Sequence, residues 1–256
     1  MGKKLQVFFI DSDMKILDTY TLFPGIYDPI MKHINFQAWG NFILRSIEPD
    51  YPTSILDLGC GTGSLLKELP PMILKTGLDR SEKMLEVARK RVRDADFHKM
   101  DMISFELIQK YELALCTHDC LNYITEVYDL RSHFKCVRNA LTDRGYYFFD
   151  VSSEYNLKKN FHNQTIQEKF ENVGIIWENN YDPQKKEIIS TLNFEIRGEN
   201  GPEYFREVHL QKYYSVEEII VIAEEAGFSV LRIGSDYKKW KYDPNTSLIN
   251  FLLKKN

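Results

Sequence analysis

The spacing of apolar and polar residues predicts a chain in which strands and helices alternate. Short apolar runs bounded by glycine, proline or acidic residues are typical of buried strands, whereas apolar residues three or four positions apart indicate one face of a helix. These patterns predict strands in the first part of the chain at 54–58, 72–78, 96–102, 111–116 and 146–151. They predict helices over 27–47, 64–69, 81–93 and 130–141. Such an alternation is typical of a parallel sheet with helices on both faces, the doubly wound α/β fold.

The alternation stops after the fifth strand. Strand-like runs at 175–181, 187–197 and 204–214 are separated by turns that contain proline or glycine, so we expect a three-stranded antiparallel β lid inserted there. A capping box at Ser215 begins a helix that ends at Gly227, and two final strands follow at 228–233 and 247–254.

These elements divide the chain into four predicted parts. Residues 27–151 form the core with an N-terminal helical lid, 152–214 form the β lid, and 215–256 complete the core sheet. Residues 1–26 form an N-terminal extension to which we assign no role, and the run at 7–10 fits either a strand or part of a helix. A turn is predicted at 143–145, before the fifth strand.

The composition is that of a globular protein, since 43% of the 256 residues are hydrophobic. The net charge of −4 and the lack of a long basic run argue against a dedicated nucleic-acid surface. No apolar run reaches the length of a membrane span, and the start of the chain does not fit a signal peptide, so we expect a cytoplasmic protein. The four cysteines and six histidines show no metal-ligand spacing, so we expect free thiols and no metal.

The most informative stretch is the turn after the first predicted strand, where Gly59, Gly61 and Gly63 alternate with other residues. Glycine permits positive φ and lets the backbone approach a ligand closely. The spacing is G-x-G-x-G, and dinucleotide folds use G-x-G-x-x-G. Asp57, just before the turn, would repel a pyrophosphate and favours a cationic or hydroxyl-bearing ligand. The alternative is a tight turn that binds no ligand.

The stretch from Asp57 to Gly63, Asp-Leu-Gly-Cys-Gly-Thr-Gly, resembles the first motif of class I S-adenosylmethionine (SAM)-dependent methyltransferases. Weaker similarity runs from about Tyr27 to the C-terminus. The resemblance implies a seven-stranded Rossmann-like sheet, SAM as cofactor and S-adenosylhomocysteine as product. It also implies that the glycine turn lies against the methionine part of SAM.

Further positions for SAM follow at the ends of later strands. Asp79 lies about twenty residues after the first glycine, the spacing at which an acid binds ribose hydroxyls. Asp101 and Met102 stand where the family places an acid for the adenine amino group and a residue against the ring; an ordinary turn is the alternative. The residues predicted to bind SAM are Trp39, Asp57, Gly59, Cys60, Gly61, Gly63, Asp79, Arg80, Met84, Asp101, Met102 and Thr117.

Three residues are candidates for the reaction itself: Tyr27, His118 and Asp119. Tyr27 and Trp39 resemble parts of a helical lid over SAM, and an equal alternative makes both of them core aromatic residues. The stretch 117–123 resembles a fourth motif of small-molecule methyltransferases, in which Asp119 would hold an amine. For His118 we favour a role in which its backbone lines the pocket over a role as general base.

Acceptor-binding candidates lie in two places. Asn122 follows the fourth strand, with helix capping as its alternative role. Glu207, His209 and Tyr213 share one face of the last lid strand, which resembles a family pattern of Glu-x-His-x-x-Arg-x-Tyr with Lys212 in place of Arg. This face either turns toward the acceptor or is the solvent face of a half-buried sheet.

We therefore predict a SAM-dependent methyltransferase that acts on a nitrogen or oxygen of a small-molecule acceptor. Two alternatives share the fold: an RNA or nucleobase methyltransferase, and a SAM-binding protein without catalysis. A third, an NAD-dependent oxidoreductase, is disfavoured by Asp57, Asp101 and the glycine spacing.

Overall fold

The computed structural model of the protein describes residues 14–256, so the run at 7–10 lies outside the described residues. In chain order the strands are β1 (Met14–Leu17), β2 (Ser54–Leu58), β3 (Leu74–Asp79), β4 (Ala95–Lys99), β5 (Tyr111–Cys116), β6 (Leu141–Ser152), β7 (Thr165–Phe170), β8 (Val173–Asp182), β9 (Glu187–Gly198), β10 (Gly201–Lys212), β11 (Phe228–Ser235) and β12 (Leu248–Lys255). The helices are α1 (Pro24–Met31), α2 (Phe36–Ser46), α3 (Ser64–Glu68), α4 (Glu82–Arg91), α5 (Val127–Ala140), α6 (Glu154–Asn156) and α7 (Val216–Glu225).

Seven strands form the larger sheet in the order β11-β12-β6-β5-β2-β3-β4. The five strands from β6 to β4 are parallel, and β12 is antiparallel to both of its neighbours. This order confirms the predicted doubly wound sheet. Because the strand order reverses at β2 and β5, a crevice opens at their carboxyl ends, where ligands bind in this class of fold.

The central strand β6 explains the continuous apolar run at 146–151. Phe148 packs on one face of the sheet, Tyr147 and Phe149 pack on the other, and all three side chains are fully buried. A strand buried on both faces needs apolar residues at every position. The predicted turn at 143–145 is wrong, because β6 begins at Leu141 and includes these residues. The pairing of β6 with β5 is irregular here, and Arg144 has a φ of 64°.

The second sheet has five strands in the order β1-β10-β9-β8-β7, so the predicted three-stranded lid is too small. The pattern missed β7 because nearly all of its side chains are exposed. It missed β1 because this short edge strand is defined by parallel pairing with β10, far away in sequence. Residues 14–17, part of the extension to which we assigned no role, thus belong to this sheet.

The predicted helical segment at 27–47 is two helices, α1 and α2. The break falls at Asn35, whose side chain caps α2 by accepting a hydrogen bond from the backbone N–H of Ala38. The capping box at Ser215 is present as predicted. Across residues 14–256, no helix combines the length and apolar character needed to cross a bilayer.

Asn122 joins the two sheets. It lies in a 3₁₀ turn at Cys120–Tyr123, is 1% exposed, donates to the carbonyl of Lys212 (2.7 Å) and accepts from the N–H of Ser152 (2.9 Å). Its amide therefore bonds the end of β10 to the end of β6.

We expect Asn122→Ala to lower the free energy of unfolding by about 1–3 kcal/mol, because two buried backbone groups lose their partners. Urea denaturation measures the change. Asn41→Ala, at an exposed position of α2, is the matched control and should differ little from the wild type. Equal losses in both variants would contradict the role of Asn122.

Candidate active site

A cavity of about 300 Å³ lies at the carboxyl ends of β2, β3 and β5. The N-terminal segment, α1 and the 3₁₀ turn after β5 close it. Twelve of the predicted residues line it: Tyr27, Asp57, Gly59, Cys60, Gly61, Asp79, Arg80, Met84, Asp101, Met102, Thr117 and His118. The other predicted residues, Trp39, Gly63, Asp119, Asn122, Glu207, His209 and Tyr213, are not among the lining residues.

The turn after β2 requires its glycines. Gly59, Gly61 and Gly63 have φ values of 67°, 53° and 75°, which disfavour residues with a side chain. A Cβ atom on Gly59 would lie 2.1 Å from Sγ of Cys120, whereas one on Gly61 would meet nothing within 4 Å. The backbone at Gly61 therefore borders open space that a ligand can fill.

Asp57 is a buried acid with an unused acceptor. Its side chain is 2% exposed, and its Oδ1 has no hydrogen-bond partner within residues 14–256. Burial, with a further contribution from the charge of Asp79, raises the pKa of Asp57 to about 8. An unpaired buried carboxyl of this kind fits a ligand that brings a cation or a hydrogen-bond donor, as SAM does with its ammonium group.

The other two acids fit the nucleoside part of SAM. Asp79 accepts hydrogen bonds from the N–H groups of Gly61 (2.9 Å) and Ser81 (2.8 Å), and its carboxylate has further lone pairs for ribose hydroxyls. Burial raises the pKa of Asp79, and these backbone bonds oppose the rise. Asp101 binds the N–H of Ile103 through one oxygen. Apolar side chains complete this end of the cavity: Met84, Met100, Met102 and Ile103.

An ion pair fixes α1 over the glycine turn. The guanidinium of Arg91, on α4, binds the carboxylate of Asp28 and also donates to the carbonyl of Thr62 (2.9 Å). Thr62 in turn donates its hydroxyl to Asp28 (2.8 Å). Tyr27, the residue before Asp28 on α1, is thereby held over the cavity.

Tyr27 and His118 meet inside the cavity. The hydroxyl of Tyr27 is 2.9 Å from Nδ1 of His118. Burial lowers the pKa of His118 to about 4, with a small contribution from His33, so the ring is neutral at neutral pH. Trp39 contacts this histidine edge-on and stacks on Tyr237 at 4.0 Å, so it supports the wall of the cavity from behind.

Asp150 is a site residue that the sequence did not indicate. This fully buried carboxylate accepts the N–H groups of His118 (2.7 Å) and Asp119 (2.5 Å) and the hydroxyl of Tyr237. His118 and Asp119 both have positive φ, 62° and 48°, so Asp150 holds a strained turn in place. Burial raises the pKa of Asp150 to about 6 and that of Asp119 to about 8.

The predicted acceptor residues of β10 lie behind the cavity wall. Glu207 and His209 are 0% and 3% exposed, so the solvent-face alternative is wrong for them. Tyr213 packs in a separate cluster with Tyr181. The wall itself contains Tyr20 and Tyr123, and neither residue was predicted. Tyr20 lies in the segment to which we assigned no role.

Comparison with known proteins agrees with this geometry. Residues 55–145 match the methyltransferase domain family. A Geobacillus relative with a provisional methyltransferase name is 28% identical over 246 residues, which are 93% of this chain and 100% of the relative.

Two solved structures extend the comparison. A SAM-dependent methyltransferase from Clostridium acetobutylicum is 27% identical, with a TM-score of 0.81 over 92% of this chain and 98% of that chain. The sugar N-methyltransferase KedS8 from Streptoalloteichus shares the fold at 17% identity, with a TM-score of 0.73 over 90% of this chain and 93% of that chain.

The raised pKa of Asp57 predicts how stability depends on pH. Its pKa is about 8 in the ligand-free folded protein and near the ordinary 3.8 when unfolded, so the folded state binds the extra proton between these values. Stability is therefore lost as pH rises through this window. The Asp57→Asn variant stays neutral at this position. Between about pH 5 and 8, the free energy of unfolding of the wild type should fall by at least about 1 kcal/mol more than that of Asp57→Asn. Urea unfolding at each pH measures this difference, and parallel curves would contradict it.

We expect Asp57→Ala and Asp79→Ala each to raise the Kd for SAM at least about tenfold, because each variant loses roughly one charge-assisted hydrogen bond to SAM. Isothermal titration calorimetry measures the affinity. Asp96→Ala, an exposed acid on β4, is the control and should bind SAM like the wild type. Unchanged affinity in both test variants would remove these residues from the SAM site.

Proposed function

Since the chain is a class I SAM-dependent methyltransferase, we propose that it methylates an amine nitrogen of a small polar molecule. The acceptor would enter the cavity beside Tyr27 and His118, opposite the glycine turn.

Two chemically different groups of side chains line the cavity, and they carry this proposal. Asp57, Asp79 and Asp101 form an acidic group, and they match the ammonium, ribose and adenine groups of SAM. Tyr20, Tyr27 and Tyr123 form an aromatic group with His118. Tyrosine rings with hydroxyl groups suit a small acceptor that has both apolar and polar surface.

SAM, when bound, supplies a methyl group that its positively charged sulfur has already activated. The task of the chain is therefore to place the acceptor, exclude water and manage one proton. His118 serves this task as a neutral group: with its pKa at about 4, it carries no charge to oppose a sulfonium. Its hydrogen bond to Tyr27 fixes the orientation of both side chains.

An acidic surrounding favours an amine over a hydroxyl acceptor. Burial raises the pKa of both Tyr27 and Tyr123, and the charge of Asp119 adds to the rise in each. The structural likeness to a sugar N-methyltransferase supports an amine on a sugar-like molecule.

The test is methyl transfer from labelled SAM to a panel of amino sugars and amino-sugar nucleotides, each paired with the analogue that has a hydroxyl in place of the amine. We expect the mass of at least one amine to rise by one or two methyl groups, and the paired hydroxyl analogue to stay unmodified. Asp79→Ala, at matched protein concentration, should transfer much less label. Label that enters RNA or protein from a cell extract, with none in the amines, would overturn the proposal.

A further inference from the structure

We propose that Tyr20, Tyr123, His209 and Glu207 form a proton relay that takes a proton from the acceptor nitrogen into the second sheet. This inference rests on the proposed function, since the relay serves an amine acceptor. Tyr20 and Tyr123 would be the catalytic residues at the cavity, and His209 and Glu207 the positioning residues behind them.

The four side chains form a continuous hydrogen-bonded chain. The hydroxyl of Tyr20 donates to the hydroxyl of Tyr123 at 2.7 Å. The hydroxyl of Tyr123 is 2.9 Å from Nδ1 of His209, and Nε2 of His209 is 3.2 Å from Oε2 of Glu207. Both tyrosines line the cavity, whereas His209 and Glu207 are almost completely buried. The chain thus runs from the cavity wall inward.

The state of Glu207 sets the direction of every hydrogen bond. Its carboxylate accepts the backbone N–H groups of four successive residues, Tyr20 (2.8 Å), Thr21 (3.0 Å), Leu22 (2.6 Å) and Phe23 (3.3 Å). Burial by itself would raise the pKa of Glu207, but the bonds from His209 and from this backbone outweigh burial and hold the pKa below its usual value.

An ionised Glu207 can only accept, so Nε2 of His209 carries the hydrogen and donates a hydrogen bond to it. In the neutral ring Nδ1 is then the acceptor, so Tyr123 donates to it and Tyr20 donates to Tyr123. The free lone pairs of the Tyr20 oxygen are left to accept a proton from the cavity. A carboxylate that orients a histidine and stabilises its charged form is also the arrangement of the serine protease triad.

The relay moves one proton for each acceptor. An amine that arrives as an ammonium ion gives its proton to the Tyr20 oxygen, while Tyr20 passes its own proton to Tyr123 and Tyr123 passes its own to Nδ1 of His209. The result is an imidazolium beside the Glu207 carboxylate and a neutral amine. The amine lone pair then forms the N–C bond as the S–C bond breaks toward sulfur. When the methylated ammonium product leaves, water in the cavity takes the proton back through the two tyrosines.

The neighbouring titratable groups make poorer proton acceptors. His118 is a weak base because burial lowers its pKa to about 4. Asp119 does not line the cavity. Burial raises the pKa of Tyr20 and of Tyr123, so both stay neutral and pass protons on without ionising. The other titratable groups whose charges act on these tyrosines are Tyr27, Arg80, Asp119 and Cys120.

The first test is Tyr123→Phe, which removes one hydroxyl and keeps the ring. Using the best amine from the panel, we expect kcat at pH 7 to fall about 10- to 100-fold, at the lower end of general acid–base effects. The deficit should shrink toward pH 10, where the amine arrives neutral, and the Kd for SAM should stay unchanged. Tyr111→Phe, which loses a buried hydroxyl bond to Thr76 far from the relay, should keep wild-type kcat at every pH. Tyr20→Phe should behave like Tyr123→Phe.

Two results are decisive and distinguishable. If wild-type and Tyr123→Phe proteins methylate amines at equal rates across the pH range, the relay is wrong and the proposed function stands. If the wild type methylates no amine, the proposed function itself fails. Nitrogen-15 NMR of His209 in the full-length protein with S-adenosylhomocysteine gives a check that needs no acceptor: the relay requires the Nε2–H tautomer, and an Nδ1–H tautomer would overturn it.

Discussion

The cavity depends on buried carboxylates that accept hydrogen bonds from the backbone of its own loops. Asp79 holds the glycine turn, Asp150 holds the turn after β5, and Glu207 holds the N-terminal segment. These loops lie outside the sheet pairing, and each contains at least one residue at positive φ, as at Gly61, His118 and Tyr20. The hydrogen bonds offset the cost of burying each carboxylate, and they restrain the backbone of each loop.

The same burial changes the titration of three acids, one in the cavity wall and two behind it. The pKa values of Asp57, Asp119 and Asp150 are all raised, to about 8, 8 and 6. These acids therefore hold protons at a pH where exposed carboxyls are ionised. A cationic ligand reverses this preference, so binding and proton release are linked at this end of the molecule.

The parts of the fold and the site that follow from local spacing could be predicted from the sequence. Asp57 and Asp79 lie at the carboxyl ends of β2 and β3, and the pairing of these strands brings them together at one edge. Tyr20 has no such local signal, and the apolar run at 146–151 does not show that Asp150 binds the turn after β5. Both roles depend on contacts between residues far apart in sequence. Edge strand β7 was not predicted for a related reason. Its side chains are nearly all exposed, so it has no apolar pattern and is defined by its pairing with β8.

The position of β1 has a consequence for how the molecule assembles. Tyr20 and Glu207 are 187 residues apart in sequence, and β1 pairs with β10 over a similar separation. Contacts this distant carry a large loop-closure entropy and form slowly. During synthesis, Asp57 and Asp79 emerge and can fold with the first half of the larger sheet, whereas β1 must wait for β10. The part of the wall that contains Tyr20 is therefore the last part of the cavity to form, and a chain that ends before β10 would carry the glycine turn without this part of the wall.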